Sequence, residues 1–264
     1  MKYLISVFLS LFLFCLFFSD ANAQSYFDDK NYSIGDFQVT AKYDTANYST
    51  HVVIKQDGNI VYDDVAEYMV DTVVIIDLNN TGEKNIFVSQ YSGGAHCCFQ
   101  LLGGTLSNYK YTPTDTLFLG NVYFQFKDLN YDHHYEIETA FDGISYAFTN
   151  YAETRFPTMV YKWENNKFVD VTRDYPNLVN LDIKEYTEQL KDFLLQNKNI
   201  CPKTADEDTF NTPAGSLKTI LAAIAVSYSF IGENQKAIET VKTFYKCPDL
   251  NKFISTLETD YKIK

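Results

Sequence analysis

Basic charge is what this chain has least of. Its 264 residues carry 22 Lys and Arg against 34 Asp and Glu, a formal net charge of −12, and the only arginines are Arg155 and Arg173. Such a surface repels polyanions, which argues against nucleic acid and anionic lipid as partners. Long apolar runs are lacking as well. The single run, Leu4 to Phe18, is shorter than the roughly 20 residues a membrane span needs. With Lys2 before it and Ala21-Asn22-Ala23 after it, the run has the plan of a secretory signal over residues 1–23, cleaved before Gln24. The mature chain is therefore expected to have no transmembrane span and to be exported, either periplasmic or secreted. Losing the signal removes one Lys and one Asp and leaves the charge unchanged. Cysteine is also scarce. Cys15 leaves with the signal, and Phe12-Leu13-Phe14 before it is not the small-residue setting of a lipoprotein cleavage site. Cys97, Cys98, Cys201 and Cys247 remain, an even number that favours disulfides in an oxidising compartment and allows three connectivities. Cys201 follows one predicted helix and Cys247 ends another. A bridge between them clamps the C-terminal helices and leaves Cys97 and Cys98 to each other.

From Asp36 to about Thr172 a helical period is missing too. Short runs rich in Val, Ile, Tyr, Phe and Thr alternate with turn clusters, which is the signature of β-structure. Thr50 to Lys55, the turn Asp57-Gly58 and Asn59 to Tyr62 read as a hairpin. Met159 to Trp163, Glu164-Asn165-Asn166 and Lys167 to Val171 read as a second. Further strands are expected over Thr72–Ile76, Asn85–Tyr91, Cys97–Leu102, Leu117–Phe126, Tyr135–Ala140 and Ser145–Tyr151. After Pro176 the period changes, with Leu181, Ile183, Tyr186, Leu190, Phe193 and Leu194 spaced for a helix. Ser216 is the expected N-cap of a second helix reaching Ile231, Gly232 breaks it, and Asn234 to Tyr245 forms a third. A last short helix begins near Asp249. The fold class is α+β: an antiparallel β domain over residues 24–175, partial propeller-like or sandwich-like, then a small α-helical domain over residues 176–264.

The chain also matches itself. Asp77-Leu-Asn-Asn-Thr-Gly-Glu-Lys-Asn-Ile86 and Asp128-Leu-Asn-Tyr-Asp-His-His-Tyr-Glu-Ile137 align in one register, each between two strands. Oxygen side chains recur at the first, third, fifth and ninth places: Asp77, Asn79, Thr81 and Asn85, then Asp128, Asn130, Asp132 and Glu136. Alternate oxygens on a tight loop converge, as a hard cation such as Ca²⁺ requires at roughly 2.3–2.6 Å. The second loop is the candidate cation site, because three like charges so close repel unless a cation or water separates them. In the first, Asp77 is the only acid, and a structural turn is the better reading.

These loops resemble the Asp-x-Asp/Asn-x-Asp-Gly-x-x-Asp/Glu loops of FG-GAP and VCBS repeats, which lie between two strands of a propeller blade. The resemblance implies an exported β protein in which calcium is a structural ion. Two departures are Thr81 and Asn85 where acids are expected, and His133 where Gly allows the turn. Ala225, Tyr228, Gly232 and Ala237, with Pro248 beyond, resemble one tetratricopeptide unit. That implies an α-hairpin packed on the β domain. The whole order of motifs, from the Asp-Leu-Asn loops through Ser-Gly-Gly-Ala-His-Cys-Cys to Phe168-Val-Asp-Val-Thr172, resembles a group of exported bacterial proteins and brings a layout without an activity.

Ser92-Gly93-Gly94-Ala95-His96-Cys97-Cys98 has three readings. One is a disulfide. Another is a Zn²⁺ or Cu site drawing on His133, His134 or His51. The third is a thiol site, in which His96 and Cys98 share a strand face. Gly93 and Gly94 are read as a bulge or close contact beside the strand rather than as a ligand loop. The arginines are read as salt-bridged. Function then reads as binding or interaction at the envelope or outside the cell, toward a protein or small-molecule ligand. The alternative is an envelope hydrolase or thiol redox enzyme using His96 and Cys98.

Overall fold

The computed structural model describes residues 29–94 and 97–263, Cys97 by its backbone alone. The expected signal, Cys15 and His96 fall outside them. Among the described residues, twelve strands precede four helices. The strands are β1 (Lys30–Ile34), β2 (Phe37–Asp44), β3 (Ser49–Gln56), β4 (Asn59–Ala66), β5 (Met69–Ile76), β6 (Asn85–Gly94), β7 (Cys97–Ser107), β8 (Lys110–Gly120), β9 (Gln125–Lys127), β10 (Glu136–Ala140), β11 (Thr158–Glu164) and β12 (Lys167–Asp170). They form three four-stranded antiparallel sheets, each a meander of consecutive strands: β1 to β4, β5 to β8 and β9 to β12. The architecture is α+β, with three blade-like sheets in series rather than a closed propeller.

Side-chain alternation decides how the sheets stack. In β2 every second residue, Phe37, Val39 and Ala41, is buried and the intervening ones face outward. In β6 both sets are buried, Ile86 and Val88 on one face and Phe87 and Ser89 on the other. The first sheet therefore packs one face on the middle sheet, joining Val39, Val52 and Ile54 to Val73, Ile86 and Val88. The middle sheet's other face joins the third through Phe87, Leu101, Leu117, Ile137 and Trp163. Gly103 makes that second contact possible, since a Cβ there would lie 2.5 Å from Trp163 Cζ3. Polar bonds pin the first contact. The Lys30 ammonium donates to Val70 O at 2.8 Å, and the Tyr32 hydroxyl accepts from Val73 N at 2.8 Å.

Both expected hairpins form, and their turn residues adopt the left-handed backbone that two-residue turns need: Asp57 and Gly58 in one, Asn165 and Asn166 in the other. The expected strand Leu117–Phe126 divides, because Gly120 takes φ +65° and ends β8. Ser145–Tyr151 is not a strand. That stretch is flanked by the 3-10 turns Asp142–Ile144 and Tyr151–Glu153, and Ile144 and Phe148, four residues apart, both enter the helical core. The Tyr, Phe and Thr content there mimicked a strand.

The last strand ends at Asp170, and α1 (Pro176–Gln196) follows with α2 (Pro213–Phe230), α3 (Asn234–Phe244) and α4 (Leu250–Asp260). Helix α2 begins three residues before the expected N-cap. Thr212 caps it by accepting from Gly215 N, while Ser216 lies inside and donates to Glu153. Helix α2 is buried on nearly all sides and forms the centre of the helical core. It is also the most apolar helix, yet among the described residues no helix is long and apolar enough to cross a membrane. Helix α1 lies against the third sheet, where Thr158 N and Oγ1 both donate to the Asp182 carboxylate at 2.6 and 3.1 Å. Burial raises the pKa of Asp182, and these bonds oppose the rise.

Candidate functional site

The two matched loops occupy the same place in neighbouring sheets, joining first to second strand: β5 to β6 and β9 to β10. Their hydrogen bonds match atom for atom. Asp77 accepts from Thr81 N at 3.0 Å and Gly82 N at 2.7 Å; Asp128 accepts from Asp132 N and His133 N, both at 3.0 Å. Gly82 has φ +89° and His133 φ +67°, so the histidine accepts the left-handed turn that glycine makes freely. The loops also touch, Tyr135 N donating to Leu78 O at 2.9 Å.

Most of the remaining oxygens of the second loop are engaged as well, the exception being Glu136 Oε1, which is buried without a hydrogen bond among the described residues. Asp132 accepts from His134 N at 2.8 Å and from Asn130 Nδ2 at 2.8 Å, and these bonds hold its pKa below the usual carboxylate range. Glu136 turns inward and is fully buried. One of its oxygens accepts from Leu129 N at 3.0 Å, and the other lies 3.6 Å from the Lys162 ammonium. Burial and the neighbouring Glu136 raise the pKa of the Tyr175 phenol. Among the described residues no group of three or more His, Cys, Asp and Glu side chains comes together to hold a metal. Among the described residues the Asn79 and Asn85 side chains make no hydrogen bond, and Thr81 Oγ1 accepts from Glu83 N at 3.4 Å. At Asp77, burial pushes the pKa up, but the Gly82 and Thr81 amides and Lys84 outweigh it and leave it lowered.

The Gly93-Gly94 segment is a bulged hairpin. The β6–β7 register shifts between Tyr91 and Gly94, Gly93 takes φ +83°, and a Cβ there would meet Met69 Cε at 2.7 Å. Tyr91 donates to Gly94 O and stacks on Phe99 at 4.7 Å; Cys98 N donates to Ser92 Oγ at 2.7 Å. Phe99 meets Tyr123 edge-on at 5.5 Å, and the Tyr123 hydroxyl donates to Asp71 at 2.7 Å. Cys98 is disulfide-bonded. Since Cys201 and Cys247 are bonded to each other, its bond does not run to the helices. The expected Cys97–Cys98 pairing involves a side chain outside the described residues. Of the other histidines, His51 pairs with Asp63 at 2.6 Å on the first sheet, far along the chain from His133 and His134.

Sequence reasoning missed the polar centre of the helical part. Lys218 and Asp249, 6% and 2% exposed, form an ion pair at 2.5 Å. Lys218 also donates to Thr209 at 2.7 Å, and Tyr245 donates to Asp249 at 2.8 Å. A lone lysine between Leu217 and Ile220 in an apolar helix was the available signal. Among the described residues the arginines pair with no carboxylate. Arg155 donates to Gln189 Oε1 and to the Glu153 and Thr154 carbonyls, and Arg173 packs over Gly232. No family model, no curated protein and no solved structure matches the chain.

Proposed function

We propose that the chain is an exported binding or interaction protein of the cell envelope or extracellular space, with VCBS-like blades as its recognition body and disulfide-clamped helices as its brace. The observation that carries the reading is the oxidised state of Cys98, Cys201 and Cys247. Such bonds persist in exported proteins and are rare in a reducing cytosol. A disulfide-bonded Cys98 also offers no thiolate, which any His96–Cys98 chemistry needs as nucleophile. The matched place and bonding of the two Asp-Leu-Asn loops support the blade reading. The Asp128 and Asp132 carboxylates accept hydrogen bonds from their own loop, which holds its turn by these bonds and needs no ion to do so. Mass mapping after alkylation without reductant, on protein taken from the exported fraction, tests this. Cys98, Cys201 and Cys247 should stay unlabelled; ready alkylation of Cys98 would return the thiol enzyme to first place.

A further inference from the structure

A groove of about 300 Å³ opens where the end of β8 meets β10 and β11, closed at one side by the 3-10 turn Asp142–Ile144. Its walls are unusual in kind. Phe118, Phe141, Tyr161 and Met159 supply rings and a thioether, and Asp142 is the only ionisable carboxylate, with no lysine, arginine or histidine among the lining residues. Phe118 is 66% exposed although it sits on an edge strand beside the groove. Its ring is free to cover a guest. Phe141 is held from behind, edge-on to Phe230 at 5.7 Å and to Tyr261 at 6.3 Å. The Tyr161 hydroxyl donates to Met159 Sδ at 3.7 Å, fixing these two neighbours on one face of β11. Asp142 is half-engaged: Oδ1 accepts from Ser145 Oγ at 2.7 Å, and Oδ2 has no hydrogen-bond partner among the described residues. Gly120 keeps that oxygen accessible, since a Cβ there would lie 2.1 Å from it.

We propose that this groove binds a small organic cation, an ammonium group carrying an aromatic or apolar arm. The ammonium sits against Asp142 Oδ2, and the Phe118, Phe141 and Tyr161 rings take the arm and face the charge. Ring faces attract cations electrostatically, and they do so more strongly once water is displaced. A carboxylate in an apolar wall strengthens that preference and penalises an anionic guest, which would bring a second negative charge beside it. The chain's net charge of −12 draws cations to the surface in the first place. An apolar groove with one half-engaged polar group that fixes orientation is the ordinary make-up of a small-molecule site.

The inference names a ligand class for the binding reading and rests on it only for the role of binding. Alkylation tests compartment and thiol state, whereas titration tests the groove, so either can fail alone. Calorimetric titration of the mature chain would use three probes of one shape: 2-phenylethylammonium, 2-phenylethanol and 3-phenylpropionate. The ammonium should bind about tenfold or more tightly than the alcohol, and the carboxylate more weakly than both. Asp142→Asn, which keeps an acceptor for Ser145, should erase the preference for the cation. Phe118→Ala, a change to an exposed ring, should weaken cation and alcohol alike without lowering the melting temperature. Equal binding of the three probes, no binding of the ammonium at millimolar concentration, or an undiminished cation preference in Asp142→Asn would each overturn the proposal.

Discussion

Replacing Lys218 with methionine should damage the fold more than any change on its surface. The ammonium lies 2.5 Å from Asp249 and 2.7 Å from Thr209 Oγ1, over the rings of Tyr245 and Phe253 at 5.6 and 5.9 Å. Methionine fills a similar volume but leaves the buried Asp249 charge without its counterion. Breaking one partner of such a pair costs about 3–5 kcal/mol. The lower end applies here, because the Tyr245 hydroxyl still donates to Asp249 and the carboxylate sits at the N-terminus of α4, where the helix dipole favours an anion. A loss of about 3 kcal/mol corresponds to a fall in melting temperature of roughly 6–12 °C for a chain of this size. Removing the orphaned charge as well, in Lys218→Met with Asp249→Asn, should restore about half of the loss and leave about 1–2 kcal/mol for the missing hydrogen bonds. Urea unfolding with the disulfides intact, followed by circular dichroism, measures all four corners of this double-mutant cycle. Strictly additive losses, or a single-variant loss below about 1 kcal/mol, would show that the pair is not a coupled buried charge.

Other expectations concern the sheets and loops. Gly103→Val should cost about 1–3 kcal/mol by pushing Trp163 away from Phe87, and the emission of this single tryptophan should report the displacement. Asp77 and Asp132 have lowered pKa values in the fold, so their contribution is present above the ordinary carboxylate value of about 3.9 and is lost as pH falls through their lower folded values. Thermal melts between neutral and strongly acidic pH should show this limb, and Asp77→Asn with Asp132→Asn should flatten it. Tyr161 moves the other way, its phenol raised by burial to about 12, so the stability it contributes is full below pH 10 and is lost as pH rises toward 12. Alkaline titration followed by tyrosinate absorbance should find that phenol ionising late or together with unfolding. Titrating Ca²⁺ into the apo chain should release no heat and leave the melting temperature unchanged. A saturable heat lost in Asp128→Ala would overturn the self-capped reading of that loop.

How much of this was legible depended on the range of the interaction. Turn chemistry is local, so Asp57-Gly58 and Asn165-Asn166 announced their hairpins in the sequence. The Asp-Leu-Asn repeat was visible for the same reason, because one carboxylate capping amides four and five residues ahead is a sequence-local device. Its ninth position was not legible. Glu136 occupies a ligand's place in the spacing, yet the fold turns it inward to Leu129 N and Lys162 because β10 buries that face. Ser145–Tyr151 failed for a related reason: its Tyr, Phe and Thr suit a strand, but Ile144 and Phe148 answer to helices that lie later in the chain. Lys218 with Asp249, and Phe118 with Asp142, join residues more than twenty positions apart, and no local pattern links them.

The stack of sheets has two different ends. The first sheet offers the middle one a buried face and turns a largely polar face to solvent, while the third has α1 laid along it through Thr158 and Asp182. Each end is finished by a different means, polar side chains at one and a helix at the other. A series of repeated units that can in principle be extended is thereby made finite. Inserting a fourth unit between the middle and third sheets would need only a second copy of the two-faced middle sheet, whereas adding one outside either end would have to remove a cap first. Growth of this architecture is therefore expected from within.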